Sequence, residues 1–248
     1  MRKKRAVRKD KTGEKQMVYT SVLLVLLALV CITAATVAWF SIADRTKVRS
    51  MSMEVTTGAN LRFDLNAHEA FEDYVKTLRF EQIAARIQRE KGFDMRVVPL
   101  EPVTTTDYAT FTFENGTAAR PDSGAYLEFR LHFMSTEDMD VYLTAKDSSG
   151  QNDGTKITSS NAALPNAMRI SFTIGSKTFV YDPGKGNSEI NLFSLKKETD
   201  QPVLVHIWLE GTDEACTDAL RGADYQIRMR FVGKDEYGNE LDGTKNSR

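Results

Sequence analysis

The chain has 248 residues, of which 41% are hydrophobic and 27% charged, and its formal net charge is −1. This ordinary globular composition excludes collagen, low-complexity fibre and wholesale disorder. The charge is unevenly placed: setting aside the eight basic and two acidic residues of 1–43 leaves 25 basic and 32 acidic residues, a net of −7. Because phosphate contacts need clustered Lys and Arg, we expect no nucleic-acid partner for residues 44–248.

The start of the chain predicts a basic cytoplasmic segment, residues 1–16, and a membrane or signal-anchor helix, residues 17–43. No charged residue occurs between Met17 and Ala43, and a helix of this length can cross a bilayer. The basic residues before it are expected to stay on the cytoplasmic side. The helix is either retained as an anchor or removed as a signal peptide. Its partner is the lipid bilayer, through Val22, Leu23, Leu24, Leu26, Leu27, Trp39 and Phe40. We expect the basic residues before the helix to set its orientation in the membrane and to attract anionic lipid. These residues are Arg2, Lys3, Lys4, Arg5, Arg8 and Lys9.

Strand patterns dominate the rest of the chain. Residues 125–133 alternate apolar and polar side chains, and residues 202–210 are apolar on both faces, which is typical of a central strand. Further strands are predicted at 47–55, 60–65, 110–113, 141–145, 167–174, 177–181 and 224–232. With turn dipeptides between them, these segments predict an all-β antiparallel sandwich, jelly-roll-like, over residues 44–234, followed by a polar tail, 235–248. Helical spacing predicts one inserted helix at about 68–91.

Residues with catalytic or metal-binding chemistry are few. His132 and His206, with Glu210, are weak metal candidates: if their two strands were neighbours, a His/His/Glu site could form, although isolated histidines are commoner. The sequence HEAFE from His68 lacks the second histidine of a zinc-binding helix. Cys216 lies among acidic residues, which disfavour a reactive thiolate. We therefore expect no catalytic residue, no cofactor and no enzyme activity.

Five segments together resemble a known family. They are TVAWF (36–40), SMSMEVTTGANLRFDL (50–65), LEPVTTTDYATFTF (100–113), VHIWLEGTDEAC (205–216) and IRMRFVG (227–233). In this order they resemble exported Gram-positive surface proteins with a SipW-type signal segment, similar to the camelysin/TasA family. The resemblance implies a jelly-roll-like domain at the cell surface or in a biofilm matrix. It also implies self-association, in which the segment Arg45–Val55 adds as a strand to a neighbouring copy. Within this segment, the residues that we expect to form the added strand are Val48, Met51, Met53 and Val55.

The function expected is that of an exported structural or adhesive protein, either membrane-anchored with an extracellular C-terminal domain or secreted after cleavage. One alternative is a membrane-tethered accessory module that binds a ligand, a cell-wall glycan or a protein partner, with Trp208 as the place to look if it is exposed. A second alternative is a camelysin-like metallopeptidase, since members of that group have been described as such.

Overall fold

The computed structural model describes residues 19, 21–28, 47–55, 60–144, 154–186 and 189–241. The chain divides into two compact units, residues 1–42 and 43–248. In the first unit, residues 21–28 are helical, and their apolar side chains from Val22 to Leu27 are exposed. No helix in the described residues is both long enough and apolar enough to cross a membrane. The predicted positions from Arg2 to Lys9, and Trp39 with Phe40, lie outside the described residues.

The described residues of the second unit form mainly strands, joined by turns and two helices. Short 3-10 turns occur at Phe71–Asp73, Pro183–Lys185 and Asp218–Leu220. The helices are α1 (Phe80–Lys91) and α2 (Leu164–Ala167). The strands are β1 (Lys47–Val55), β2 (Leu61–Asp64), β3 (Thr77–Arg79), β4 (Pro102–Val103), β5 (Phe111–Thr112), β6 (Ala118–Ala119), β7 (Leu127–Ser135), β8 (Met139–Leu143), β9 (Lys156–Ser159), β10 (Met168–Ile174), β11 (Lys177–Tyr181), β12 (Ile190–Leu195), β13 (Gln201–Glu210) and β14 (Asp224–Lys234).

The strands form two six-stranded sheets and a small two-stranded one, β5–β6. Sheet one has the order β12-β8-β14-β1-β3, and β9 also pairs with β14. Sheet two has the order β11-β10-β13-β7-β2, and β4 also pairs with β13. Two pairs are parallel, β1 with β14 and β4 with β13, and the others are antiparallel. The prediction of a mostly antiparallel all-β fold is confirmed.

The two large sheets face each other across one hydrophobic core. Phe231 of sheet one is fully buried, and its ring contacts those of Phe63, Phe133 and Phe172 in sheet two, with centroids 6.0, 5.0 and 5.9 Å away. Such tilted and edge-on contacts are the favoured geometry for aromatic rings. Side chains from both sheets therefore interdigitate at the centre of a β-sandwich.

The predicted helix at 68–91 is wrong in its first half. Before Phe80 the chain instead forms the 3-10 turn and strand β3. The backbone of Val75 exchanges two hydrogen bonds with Phe63 of β2, both 3.0 Å long. This long-range pairing replaces the helical hydrogen bonds that the local pattern suggested. The helix-like spacing of apolar residues in 68–79 therefore reflects a chain with one buried side.

Helix α1 begins directly after β3 and closes one side of the sandwich. The backbone N–H of Arg79 donates to Gln82 Oε1 at 2.9 Å, which is one half of a capping box. The buried residues Ile83 and Ile87 face the core, and the helix lies beside β1, β3 and β7. It ends at Gly92, whose φ of +82° is the left-handed conformation that suits glycine at this position.

Candidate functional site

Strand β1 occupies an interior position of sheet one, although it is the first strand of the sandwich. It pairs in parallel with β14 from Lys47 opposite Asp224 to Val55 opposite Phe231. On its other side it pairs antiparallel with β3. The backbone of β1 therefore has strand partners along both edges, and the strand predicted at 47–55, within the segment Arg45–Val55 expected to add to a neighbour, has the limits of β1.

An irregularity near the start of β1 aligns the predicted residues with buried positions of β14. The register shifts between Val48 and Ser50, so that Arg49 is an extra residue on the β1 side. An extra residue of this kind locally bends a strand and moves the residues beyond it by one position relative to the partner strand. The opposed pairs are Val48 with Tyr225, Met51 with Ile227, Met53 with Met229, and Val55 with Phe231, and all four β14 residues are buried.

The outer partner of β1 is short. Strand β3 contributes three opposed pairs and forms the edge of the sheet. Leu78 is buried, whereas Thr77 and Arg79 on either side of it are exposed. Because β3 has only three residue pairs with β1, the β1–β3 pairing is weaker than the β1–β14 pairing.

The strands that carry the two candidate metal-binding histidines are neighbours, yet the register keeps the histidines apart. His132 of β7 stands opposite Pro202, whereas His206 of β13 stands opposite Glu128. The offset of four residues corresponds to about 13 Å along a strand. His132 Nδ1 lies 2.8 Å from Asp200 Oδ2, so each histidine pairs with a carboxylate of its own. Within the described ranges, no group of three His, Cys, Asp or Glu side chains could hold a metal.

The third candidate ligand, Glu210, is engaged with Trp208. Its Oε2 accepts a hydrogen bond from Trp208 Nε1 at 2.9 Å. Trp208 is only 1% exposed and packs against the rings of Phe111 and Tyr108. The expected ligand surface around an exposed Trp208 is therefore absent from this structure, because the segment that carries β4, β5 and β6 covers the indole.

A partly buried row of Lys91, Glu128 and His206, which the sequence did not predict as a unit, lies near the same segment. Glu128 Oε2 is 3.0 Å from His206 Nε2, and Glu128 also pairs with Lys91 at the end of α1. The hydrogen bond to His206, with a further contribution from Lys91, lowers the pKa of Glu128 to about 2. The rings of Phe111 and Tyr126 lie 5.2 and 5.8 Å from the imidazole. Through its contacts with Lys91 and His206, Glu128 of β7 links the end of α1 to β13.

Cys216 is half-buried, and burial, followed by the charges of Asp213 and Glu210, raises its pKa to about 11. We expect the folded protein to react with iodoacetamide at about pH 8 roughly a hundredfold more slowly at Cys216 than an ordinary thiol does, since so little thiolate is present. Peptide-level mass spectrometry, with urea-unfolded protein as the control, measures this. Equal rates in the folded and unfolded protein would contradict the expectation.

No protein-family model and no curated protein matches the chain. Among solved structures, the N-terminal domain of PorA is similar at 10% identity with a TM-score of 0.19. The match covers 52% of this chain and 84% of that one. At this TM-score the likeness supports no conclusion about function.

Proposed function

We propose that this chain is an exported structural or adhesive protein of the cell surface, whose copies join by exchanging strand β1. The observation that carries the proposal is the position of β1 between the last strand, β14, and the short edge strand β3. An identical strand from another copy would restore the same backbone hydrogen bonds. Exchange of identical elements is a low-cost route to assembly for this reason.

The acceptor position suits an added strand. In strand addition, backbone hydrogen bonds supply affinity, and alternating side-chain positions supply register. Tyr225, Ile227, Met229 and Phe231 provide such an alternating buried row on β14. An exchanged β1 would pair beside this row in the neighbouring copy, and the irregularity at Arg49 would help to fix the register there.

Export is the second part of the proposal and rests on the sequence. The basic residues of 1–16 and the uncharged run 17–43 support it. The resemblance of the sequence to the camelysin/TasA family, whose members are exported and have a jelly-roll-like fold, also supports export. A retained helix would tether the sandwich outside the cell membrane, and a cleaved one would release it to a biofilm matrix. In both cases β1 follows this segment closely and is the first strand available to a neighbour.

Two single-cysteine chains of different mass test the exchange, both carrying Cys31→Ser and Cys216→Ser. One chain carries S52C on β1 and the other carries R79C on β3, which are opposed positions. Opposed Cα atoms in antiparallel strands lie about 4.5–5.5 Å apart, which a disulfide can bridge. After the two chains are mixed at high concentration and oxidised, we expect disulfide-linked dimers that contain one chain of each mass.

The matched control replaces R79C with R89C, an exposed position on α1 that is not opposite β1. This pair should give few mixed dimers, because its sulfurs meet only by collision. The double variant S52C/R79C in one chain reports the same contact within a monomer. Intramolecular disulfides there, together with no mixed dimers at any concentration, would rule out strand exchange.

A further inference from the structure

The turn between β5 and β6 carries the one Asn-Gly dipeptide of the chain, Asn115–Gly116. Residues 114–117 are all exposed, and the backbone N–H of Gly116 donates to the Phe113 carbonyl at 2.9 Å. Gly116 has a φ of +78°, which suits glycine, and there is open space where another residue would carry its Cβ. No side chain of its own therefore shields the backbone nitrogen that follows Asn115.

The side chain of Asn115 is held by Thr117. Asn115 Oδ1 accepts hydrogen bonds from the Thr117 backbone N–H at 2.9 Å and from the Thr117 hydroxyl at 2.6 Å. Two donors on a carbonyl oxygen stabilise the negative charge that develops there when the carbonyl carbon is attacked. The amide carbon of Asn115, Cγ, is therefore activated towards a nucleophile, and the nitrogen of Gly116 is the one that can close a five-membered ring with it.

The hairpin that holds this turn is short, because β5 and β6 share only two residue pairs. Attack on Cγ of Asn115 requires the Gly116 nitrogen to leave the Phe113 carbonyl and the turn to open. Exposed turns with few backbone pairs open at a much lower free energy than the whole domain unfolds. The reaction is therefore within reach of the folded protein through a local opening.

We propose that Asn115 is a site of spontaneous deamidation, which proceeds through a cyclic imide formed with Gly116. The Gly116 nitrogen gives its proton to hydroxide and bonds to Asn115 Cγ, and the Cγ–Nδ2 bond breaks as Nδ2 takes a proton from water and leaves as ammonia. Water then opens the ring. Cleavage of the new N–Cγ bond gives aspartate, whereas cleavage of the original peptide bond gives isoaspartate, with the chain running through Cγ. One water is consumed and one ammonia is released, without oxidation or reduction.

The modification bears on the segment that covers Trp208, because the hairpin is part of that segment. Phe111 of β5 stacks on Tyr126 with ring centroids 4.1 Å apart, and its ring lies 5.4 Å from that of Trp208. Isoaspartate adds one backbone atom to the turn and places a carboxylate beside the exposed Glu114. Since the length of a turn fixes the register of its hairpin, the longer turn disturbs the pairing that positions Phe111. Conversion thus loosens the cover over Trp208, independently of strand exchange.

Incubation of the full chain in detergent and mildly alkaline buffer, followed by peptide mass spectrometry, tests the site. We expect the peptide with Asn115 to gain the mass of deamidation and to contain isoaspartate. The peptide with Asn239, an exposed asparagine followed by glutamate, should stay unchanged over the same time. In N115Q the conversion should be lost, because glutamine would have to close a larger and less favoured ring.

The matched control for the geometry is T117V, which keeps the shape of the side chain and the backbone N–H but lacks the hydroxyl. Loss of one hydrogen bond to the developing oxyanion should slow deamidation of the folded protein about three- to tenfold. In urea-unfolded protein, the wild type and T117V should convert at equal rates, because the contact belongs to the folded turn.

Four results would overturn the proposal. They are an intact Asn115 in the folded wild type while the unfolded protein converts, equal conversion of Asn239, equal rates for folded wild type and T117V, and a T117V variant that is slowed as much in urea as in the folded state.

Hydrogen exchange of the aged protein measures the loosening of the cover. The isoaspartate form, separated by chromatography, should exchange faster in residues 104–119 than the fresh protein, whereas β10 and β11 should not change. The variant N115D carries the new charge without the extra backbone atom and should exchange like the wild type in this segment. Equal exchange in the isoaspartate form and the fresh protein would overturn the loosening.

Discussion

Replacing Phe231 with alanine should lower the free energy of unfolding by about 4 kcal/mol. The ring is fully buried and contacts three phenylalanine rings of the opposite sheet. Its removal opens a cavity between two hydrogen-bonded sheets, which cannot collapse freely to fill it. Equilibrium unfolding in urea, followed by circular dichroism, measures the difference.

The control for this substitution is Tyr237→Ala. Tyr237 is 80% exposed, and its replacement should change the free energy of unfolding by less than about 0.5 kcal/mol. If Phe231→Ala were as mild as the control, the inter-sheet contact at this ring would not be part of the folded core.

Replacing Glu128 with glutamine should lower the free energy of unfolding by about 3 kcal/mol near neutral pH. Glutamine keeps the size of the side chain but removes the negative charge beside His206 and Lys91. His206 is 1% exposed, so water cannot replace the lost partner. Thermal unfolding of the two proteins at matched pH gives the comparison.

The effect of Glu128 should depend on pH in a defined direction. Its pKa is lowered from 4.5 to about 2 in the folded protein, so its ionised form contributes stability that is complete above about pH 4.5. That contribution is lost as the pH falls towards 2, and the difference between wild type and E128Q should narrow over this window. The exposed pair of Asp138 with Lys196 provides the control, since Asp138→Asn should change stability little. A constant difference across the window would show that the pKa of Glu128 is not lowered in the folded protein.

Strand prediction from the sequence succeeds where the pattern is local and long. The segments that became β7, β10 and β14 alternate over seven or more residues, and β13, which is apolar on both faces, lies between two strands as that pattern indicates. The strands that were missed are β9 and β12, with four and six residues, and β3, β4 and β6, which have two or three residues each. Such short strands exist because a distant partner supplies hydrogen bonds, and no local pattern encodes that partner.

The limits of β1 could be predicted, but its neighbours could not. Pairing with β14 joins segments from opposite ends of the sandwich, and the register determines which side chains meet. The same holds for Glu128 and His206, which alternation places on polar faces but which meet only in the observed register. Asp200, the partner of His132, could not be found from sequence, because the two residues are distant along the chain.

The parallel pairing of β1 and β14 has a mechanical consequence. A pulling force on the two ends of the sandwich enters at the start of β1 and leaves at the end of β14, which are opposite ends of their shared ladder. The hydrogen bonds between Lys47–Val55 and Asp224–Phe231 then bear shear together instead of opening one after another. A protein stretched along this line would resist extension through its whole terminal ladder at once.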